Sequence, residues 1–164
     1  MTAYLSLGSN LGDKQTNLQC ALDEIEKRIG HICAQSAFLA TAPWGFTSDN
    51  SFFNACIAVE TTLTPRELLE RTQAIERALG RQHKSATCGR QDGQLPSYQD
   101  RIIDIDILLC GDTIIDEPGL HIPHPLMHER LFVLQPLDEI AHDLVVPGTG
   151  KSVGELLATA SANV

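Results

Sequence analysis

The segment Asp100–Cys110, which reads D-R-I-I-D-I-D-I-L-L-C, constrains the fold of this 164-residue chain more than any other. Its β-branched and leucine side chains recur at every second position, which predicts a β-strand with one buried face. The residues assigned to that face are Ile103, Ile105, Ile107 and Leu109. A strand so apolar needs a hydrophobic layer packed against it, and the rest of the chain has to supply that layer.

The opposite face of the same strand carries Asp104 and Asp106. Side chains two residues apart on a strand point the same way, with their roots about 6–7 Å apart. Like charges this close raise each other's pKa and lose solvation, and a divalent cation with oxygen ligands relieves both costs. The pair therefore indicates a magnesium site. The alternative is an exposed edge face on which both carboxylates are solvated, and the D-x-D pattern does not separate the two readings.

Length and composition predict a single domain covering residues 1–164, because 43% hydrophobic residues suffice for one sizeable core. Five scattered cysteines without a C-x-x-C pair argue against a disulfide framework and a zinc knuckle, and favour a reducing compartment. The first residues lack the basic region of a secretion signal, and no segment approaches eighteen apolar residues. We expect a cytoplasmic protein that does not cross a membrane.

The formal net charge of −9 disfavours sequence-independent nucleic-acid binding, which relies on Lys and Arg to neutralise phosphates. Seven of the twelve Lys and Arg residues, however, lie between Arg66 and Arg101. This basic segment leads into the aspartate strand, so a small polyanion could be held where the two meet. The alternative is a solvated helix face, on which arginines pair with neighbouring glutamates.

The remaining chain predicts an alternation of strands and helices. A strand at about residues 3–7 ends in the turn-rich sequence G-S-N-L-G, and a helix capped by Asp13 or Thr16 follows and ends before Gly30. Strands are predicted at about residues 32–40 and 52–61. A capping box at Thr64 and Glu67 starts a second helix, which we expect to end at Gly80.

Four further segments complete the prediction. Residues 81–99 lack periodicity, and a loop this long is usually a functional lid or a disordered insertion. After the aspartate strand, residues 113–115 are expected to pair back as a hairpin. The proline-punctuated residues 120–137 predict short extended pieces and single helical turns. Ser152 and Glu155 then cap a final short helix.

The order strand, helix, strand, strand, helix, strand is the split βαβ pattern. It predicts an α+β, ferredoxin-like βαββαβ sandwich, with an antiparallel sheet, the helices on one face and the functional site on the other. By strand parity, Phe52 and Asn54 share that open face with Asp104 and Asp106.

The motifs exclude several kinds of chemistry. The chain has no G-x-x-x-x-G-K-[ST], G-x-G-x-x-G or G-x-S-x-G motif and no Cys/His dyad. His121, His124 and His128 are suggestively spaced, but Pro123 and Pro125 prevent the one-helix geometry of a zinc protease. Paired carboxylates and nearby arginines without a nucleophile favour phosphoryl transfer, which needs positioning and charge neutralisation.

Five motifs together resemble the 6-hydroxymethyl-7,8-dihydropterin pyrophosphokinase family of folate synthesis. They are T-A-P-W-G from Thr41, F-F-N from Phe52, the helix end from Glu76 to Gly80-Arg81, D-R-I-I-D-I-D-I-L-L, and I-P-H-P-x-M-x-x-R-x-F from Ile122. The resemblance covers about residues 3–147. It implies transfer of pyrophosphate from ATP to the pterin hydroxymethyl group, with AMP leaving.

The resemblance also implies roles for individual residues. Two Mg²⁺ ions would be held by Asp104 and Asp106. The catalytic residues would be Arg81, Arg101, Asp104 and Asp106. The pterin would contact Thr41, Ala42, Trp44, Phe52, Asn54 and Phe132, with the two phenylalanines stacking on its ring. The ATP would contact Gln73, Glu76, Arg81, Arg101, Ile107, His121, His124 and Arg130.

The implied partners are small molecules, ATP and the pterin, without nucleic acid or membrane, and we expect a monomer. Two rival functions fit the same residues. A non-catalytic ligand-binding module can use the same layout, because a fold does not determine function. Another D-x-D enzyme, such as a nucleotide-sugar transferase, is the second rival, although those enzymes usually need a larger chain.

Overall fold

The computed structural model describes residues 1–41, 52–86 and 102–162, and for residues 41 and 81–86 it describes the backbone. The strands are β1 (Thr2–Ser9), β2 (His31–Gln35), β3 (Leu39–Thr41), β4 (Phe52–Glu60), β5 (Asp104–Cys110), β6 (Ile115–Glu117), β7 (Leu120–Ile122), β8 (Val145–Val146) and β9 (Lys151–Ser152). The helices are α1 (Lys14–Arg28), α2 (Pro65–Ala86), α3 (Leu131–Ala141) and α4 (Val153–Ala162), with one 3₁₀ turn at Met127–Glu129. The predicted lid lies largely outside these residues.

A five-stranded antiparallel sheet forms the centre of the structure. Its order is β2-β4-β1-β5, and β3 pairs with β4 beside β2. Since α1 connects β1 to β2 and α2 connects β4 to β5, the predicted ferredoxin-like α+β fold is confirmed.

The ends of α1 are fixed by local hydrogen bonds, as the sequence predicted. The carboxylate of Asp13 accepts the N–H of Thr16 at 3.1 Å, and the N–H of Gly30 donates to the carbonyl of Ile25 at 3.2 Å. Gly30 is needed for close packing, because a Cβ there would collide with the backbone carbonyl of Glu60.

The capping box that starts α2 is confirmed, but its predicted end is wrong. Thr64 N–H donates to the Glu67 carboxylate at 2.9 Å, and Glu67 N–H donates to Thr64 Oγ1 at 3.1 Å. The helix continues through Gly80 to Ala86. Glycine weakens a helix by about 1 kcal/mol relative to alanine, which one residue in a 22-residue helix does not make decisive.

Two hydrophobic clusters sandwich the sheet. The first joins β1, β4 and β5 to α1 and α2, and includes Leu5, Leu18, Ile57, Leu68 and Ile75. The second joins the opposite sheet face to α3 and α4, and includes Cys56, Leu108, Leu109, Leu134 and Leu156. The predicted helices α1 and α2 do share one face, but α3 and the predicted final helix, α4, cover part of the face expected to be open.

An irregularity in β5 divides its buried residues between these clusters. The β1–β5 register shifts between Tyr4 and Leu5, so that Tyr4 opposes Leu109 and Leu5 opposes Ile107. One extra residue in a strand turns the side chains after it to the other face. The prediction that Leu109 lies with Ile107 is therefore wrong, since Leu108 and Leu109 both pack beneath α3 and α4.

The strand predicted at about residues 32–40 is two strands, β2 and β3, separated at Ser36. Both still pair with β4. The hairpin predicted for residues 113–115 is also different, because β6 pairs with β7 rather than with β5. Gly119, at a φ of 78°, makes the turn between them.

The prediction of isolated turns for residues 120–137 misses α3. This eleven-residue helix contains Pro136, which has no N–H to donate to the carbonyl of the preceding turn. Burial of Val133, Leu134 and Leu137 against the sheet compensates for that bond. The cap predicted for α4 is confirmed by the reciprocal bonds of Ser152 and Glu155, at 2.9 and 3.1 Å.

Candidate active site

Asp104 and Asp106 lie on β5, on the sheet face opposite the first cluster. Both are half-buried, whereas Ile105 between them is buried in that cluster. In the β1–β5 ladder, Asp104 opposes Gly8 and Asp106 opposes Ser6. The paired-carboxylate geometry predicted from strand parity is therefore present on β5, the edge strand of the sheet, where both side chains are half-buried rather than fully exposed.

Glu76 on α2 adds a third carboxylate beside this pair. Its Oε2 accepts the backbone N–H of Ile105 at 2.7 Å. Burial raises the pKa of Glu76 to about 7, against the lowering effect of that hydrogen bond, and the charges of Asp104 and Asp106 and a hydrogen bond with Asp104 raise it further. Near neutral pH the site thus holds three carboxyl groups, of which Glu76 is partly protonated.

A row of three residues crosses the sheet next to the acids. Gly8 on β1 opposes Asn54 on β4 and Asp104 on β5, and directly opposite residues share a sheet face. A Cβ at Gly8 would lie 2.8 Å from Asn54 Oδ1 and 3.5 Å from Phe52 Cδ1. The Phe52 ring and the Asn54 amide therefore lie over Gly8, and a side chain at this position would displace them.

His124 stands near the acids, on the segment that follows β7. Its N–H donates to the carbonyl of Leu108 at 3.0 Å, and its Nδ1 accepts the N–H of Leu126 at 3.2 Å. Burial lowers the pKa of His124 to about 4, as does the charge of Arg130, while Asp104 acts in the opposite direction. The ring is therefore neutral at physiological pH, and its proton is on Nε2.

Arg130 and Phe132 lie at the start of α3. The guanidinium carbon of Arg130 is 5.6 Å from the centroid of the Phe132 ring, within the range of a cation–π contact. The Arg130 charge also acts on His124, so these residues form one neighbourhood with Asp104. A cation and an aromatic ring thus lie on the same side of the sheet as the carboxylates.

Other predicted site residues are more distant or exposed. Gln73 is exposed on α2, one turn before Glu76, and His121 is exposed on β7, where its Nδ1 lies 2.8 Å from Asp116. The side chain of Ile107 is buried in the first cluster, on the sheet face away from the aspartates.

Several predicted site residues lie outside the described residues, or have only their backbone described. Ala42, Trp44 and Arg101 are outside the described residues. Thr41 is the last residue of β3, opposite Phe52, and Arg81 lies within α2.

Within residues 1–41, 52–86 and 102–162, no three acidic, histidine or cysteine side chains form a group able to hold a metal ion. The two aspartates nevertheless fit Mg²⁺, which is usually bound by one or two carboxylates and completes its shell with water and phosphate oxygens. Burial is the main cause of the raised pKa of Glu76, and the charges of Asp104 and Asp106, which such a cation would offset, add to it.

Sequence reasoning missed the contribution of Gly8. The G-S-N-L-G sequence was interpreted as a turn after β1, whereas β1 continues to Ser9 and places Gly8 inside the sheet. Only the pairing register of three strands reveals its neighbours. Glu76 was assigned through the resemblance, without its bond to Ile105, although its carboxylate four residues before Gly80 was visible in the sequence.

In the described part of the chain, no helix is both long enough and apolar enough to span a bilayer.

Comparison with known proteins identifies the family. The family model described as 7,8-dihydro-6-hydroxymethylpterin-pyrophosphokinase matches residues 4–142. Among curated proteins, the 2-amino-4-hydroxy-6-hydroxymethyldihydropteridine pyrophosphokinase of Porphyromonas gingivalis is 46% identical over 139 residues, which are 84% of this chain and 89% of that protein. The enzyme of the same name from Methylorubrum extorquens is 41% identical over 157 residues, 95% of this chain and 91% of that protein.

Solved structures agree on the fold. Wild-type Plasmodium falciparum HPPK-DHPS superimposes with a TM-score of 0.75 at 16% sequence identity, covering 99% of this chain and 45% of that one. The same protein crystallised with pterin and p-hydroxybenzoate gives a TM-score of 0.74 at 17% identity, covering 99% and 42%. This chain thus spans less than half the length of those solved chains. Taken with the paired carboxylates of β5, the match over residues 4–142 leads to one conclusion: the chain belongs to the 7,8-dihydro-6-hydroxymethylpterin-pyrophosphokinase family.

Proposed function

We propose that this chain transfers the pyrophosphoryl group of ATP to the hydroxymethyl group of 6-hydroxymethyl-7,8-dihydropterin and releases AMP, a step of folate biosynthesis. The observation that carries the proposal is the half-buried pair Asp104 and Asp106, opposite Ser6 and Gly8, in a chain of the pyrophosphokinase family. The paired acids supply what a phosphoryl-transfer site needs in place of a nucleophile, a fixed anchor for a cation.

Asp104 and Asp106 are the proposed ligands of two Mg²⁺ ions. When bound, Mg²⁺ would neutralise negative charge on the phosphate oxygens and hold them in line. The strand backbone fixes both carboxylates, because β5 is paired with β1 through Gly8 and Ser6. Glu76 supports this geometry from α2 by accepting the N–H of Ile105, the residue between the two aspartates.

The pterin is proposed to lie against the Phe52 ring and the Asn54 amide, which cover Gly8 on this face of the sheet. Phe52 and Phe132 are the proposed stacking partners for its flat ring. Asn54 and Asp104 stand on either side of Gly8 in the same cross-strand row, and they are suited to the polar rim of the ring. Thr41, Ala42 and Trp44 complete the proposed set, with Ala42 and Trp44 acting through backbone groups.

The nucleotide is proposed to extend from the aspartates towards α2 and β7. His124 can donate its Nε2–H to a phosphate oxygen, because Nδ1 already accepts the N–H of Leu126. Arg81, Arg101 and Arg130 would contact the triphosphate, for which the guanidinium fork is well suited. Gln73, Glu76 and His121 are proposed to lie near the rest of the nucleotide. A contact with Ile107 would have to involve its backbone, since its side chain packs on the other face.

In the proposed reaction, the pterin hydroxymethyl oxygen forms a bond to the β-phosphorus as the hydroxyl releases its proton to solvent water. The bond from the β-phosphorus to the oxygen that bridges it to the α-phosphorus breaks, and AMP leaves. The role of the chain is to align these three atoms and to offset their charge, which is the main source of rate enhancement in phosphoryl transfer.

A product assay tests this function. The purified chain is incubated with ATP, Mg²⁺ and 6-hydroxymethyl-7,8-dihydropterin, and adenine nucleotides are resolved by chromatography. We expect AMP and the pterin pyrophosphate in equal amounts, and loss of both when the metal is chelated. ADP as the product, or ligand binding without turnover, would contradict the proposal and favour one of the rival functions.

We further propose that residues 1–164 act as one pyrophosphokinase domain, monomeric and cytoplasmic. All of the described helices contribute to one or other of the two clusters on a single sheet, which supports one domain. Cys20, Cys33, Cys56 and Cys110, the described cysteines, are free thiols, which supports a reducing compartment.

A further inference from the structure

The junction between β2 and β3 is organised by Ser36, which is buried. Its N–H donates to the carbonyl of Cys56 at 2.9 Å, and its Oγ accepts the N–H of Cys56 at 3.0 Å. The same hydroxyl donates to the carbonyl of Ala37 at 3.0 Å. These bonds keep Ser36 in the sheet, while the N–H of Ala37 bonds to a different element.

That element is α3. The N–H of Ala37 donates to Oε1 of Glu139 at 2.8 Å, across 102 positions of sequence. Glu139 lies in the last turn of α3, two residues before its final residue, Ala141. Hydrogen bonds to an ionised carboxylate are about twice as strong as those between neutral groups, so this contact can hold the junction against the helix.

The first turn of α3 has its own attachment to the sheet. The thiol of Cys56 donates to the carbonyl of Val133 at 3.5 Å, and both residues are buried in the second cluster. Phe132 immediately precedes Val133 and packs at the edge of that cluster. The helix α3 is therefore attached to β4 at its first turn and to the junction between β2 and β3 at its last turn.

We propose that Glu139 is a positioning residue for the pterin. By fixing Ala37 against the last turn of α3, it sets the spacing between β3, which leads to Thr41, and the helix that carries Phe132. The inference rests on the proposed function, in which Thr41 and Phe132 contact the pterin. Because β4 and β1 separate β3 from the aspartates of β5, Glu139 acts on the pterin and not on the phosphate end.

The test measures ligand binding by Glu139→Ala and Glu139→Gln. With Mg²⁺ and a non-hydrolysable ATP analogue present, calorimetry is expected to give a pterin Kd raised roughly three- to tenfold by Glu139→Ala. The affinity for the analogue stays unchanged, and KM for the pterin rises while kcat changes by less than about twofold. Glu139→Gln restores part of the pterin affinity, since its amide oxygen can accept the same N–H in a weaker, uncharged hydrogen bond.

Asp138→Ala is the matched control. Asp138 precedes Glu139 on α3. Its carboxylate lies 2.6 Å from Nδ1 of His142, the residue that follows the end of the helix. The substitution removes one negative charge from the same turn and breaks a different bond, so we expect the pterin Kd to stay at the wild-type value. Thermal unfolding of both variants reports any general loosening of α3.

Three results would overturn the inference. They are wild-type pterin affinity in Glu139→Ala, an equal loss of pterin and nucleotide affinity, and an equal effect of Asp138→Ala. A wild-type chain that binds no pterin would remove the proposed function together with this inference. If the wild-type chain binds the pterin and Glu139→Ala binds it equally tightly, this inference is removed and the proposed function stands.

Discussion

At the scale of single residues, Asp106 gives the most direct prediction. Asp106→Ala is expected to lower kcat by roughly 10²- to 10³-fold, because it removes one of the two fixed charges proposed to hold the cation. The fold should be retained, since the substitution removes a half-buried like charge and no apolar side chain. Initial rates of AMP formation and the far-ultraviolet circular dichroism spectrum measure the two effects.

Asp112→Ala provides the comparison, because Asp112 is exposed in the turn after β5. It should leave the rate of AMP formation unchanged. Wild-type activity in Asp106→Ala would remove the metal role from this pair of residues.

Glu76 gives a prediction about pH. The pKa of Glu76 is about 7 in the folded chain and 4.5 in its ordinary environment, so the folded state binds this proton more tightly than the unfolded state does. The resulting stabilisation is complete below about pH 4.5 and is lost as pH rises through 7. Glu76→Gln should therefore be more stable than wild type at pH 8, by on the order of 1–3 kcal/mol, in urea unfolding without Mg²⁺.

The amide oxygen of glutamine can still accept the N–H of Ile105, so the comparison isolates the charge. Glu70→Gln, on an exposed part of the same helix, is the control and should follow the wild-type pH profile. If wild type and Glu76→Gln lose stability in parallel between pH 5 and 8, the raised pKa is not a property of the site.

Residue-level pattern reasoning succeeded where the signal was local. Alternation along β5 and β4 was enough to assign Asp104, Asp106, Phe52 and Asn54 to one face, because strand parity needs only the neighbouring residues. The position of Gly8 between Asn54 and Asp104 depends on the register of three strands, which residues far apart in sequence determine together.

At the scale of elements, the two glycines in α2 and α4 should respond in opposite ways to alanine. A Cβ at Gly80 meets no atom within 4 Å, so Gly80→Ala should raise the free energy of unfolding by about 0.5–1 kcal/mol through helix propensity. Gly154 lies against the His142 ring, and a Cβ at Gly154 would collide with that ring. Gly154→Ala should therefore lower the free energy of unfolding. Denaturant unfolding of both variants measures the difference.

Because each substitution adds the same methyl group to a helix, either variant serves as the control for the other. A loss of stability in Gly80→Ala would mean that α2 does not continue as a helix through this position.

The boundaries of α2 and α3 show that a glycine or a proline does not by itself end a helix. Gly80 and Pro136 both disfavour a helix locally, yet α2 and α3 pass through them. One glycine in a 22-residue helix is not decisive, and α3 is held by the burial of Val133, Leu134 and Leu137. Caps could be predicted at Asp13, Thr64 and Ser152, since each depends on two or three nearby residues. Propensity is a weak guide where tertiary burial opposes it.

At the scale of the molecule, β1, β4 and β5 are shared by the two hydrophobic clusters. The clusters should therefore unfold together, although they lie on opposite faces of the sheet. Leu134→Ala, at a fully buried position of α3, is expected to cost about 2–5 kcal/mol of global stability. Hydrogen exchange of the β1 amides in mild denaturant should become faster by the factor that corresponds to this loss of unfolding free energy.

Leu68→Ala, at an equally buried position of α2 in the first cluster, is the matched variant and should accelerate the same amides to a similar degree. If Leu134→Ala speeds exchange in α3 and α4 while β1 keeps its wild-type protection, the second cluster is a separate cooperative unit.

Because of its register shift, β5 contributes both to the proposed active site and to the second hydrophobic cluster. Its first half presents the two aspartates, and its second half turns two consecutive leucines towards α3 and α4 on that same face. The surface of the proposed active site is thus continuous with the packed interior. Heating should consequently inactivate the enzyme at the temperature at which the whole protein melts, with no earlier stage at which a folded but inactive molecule accumulates.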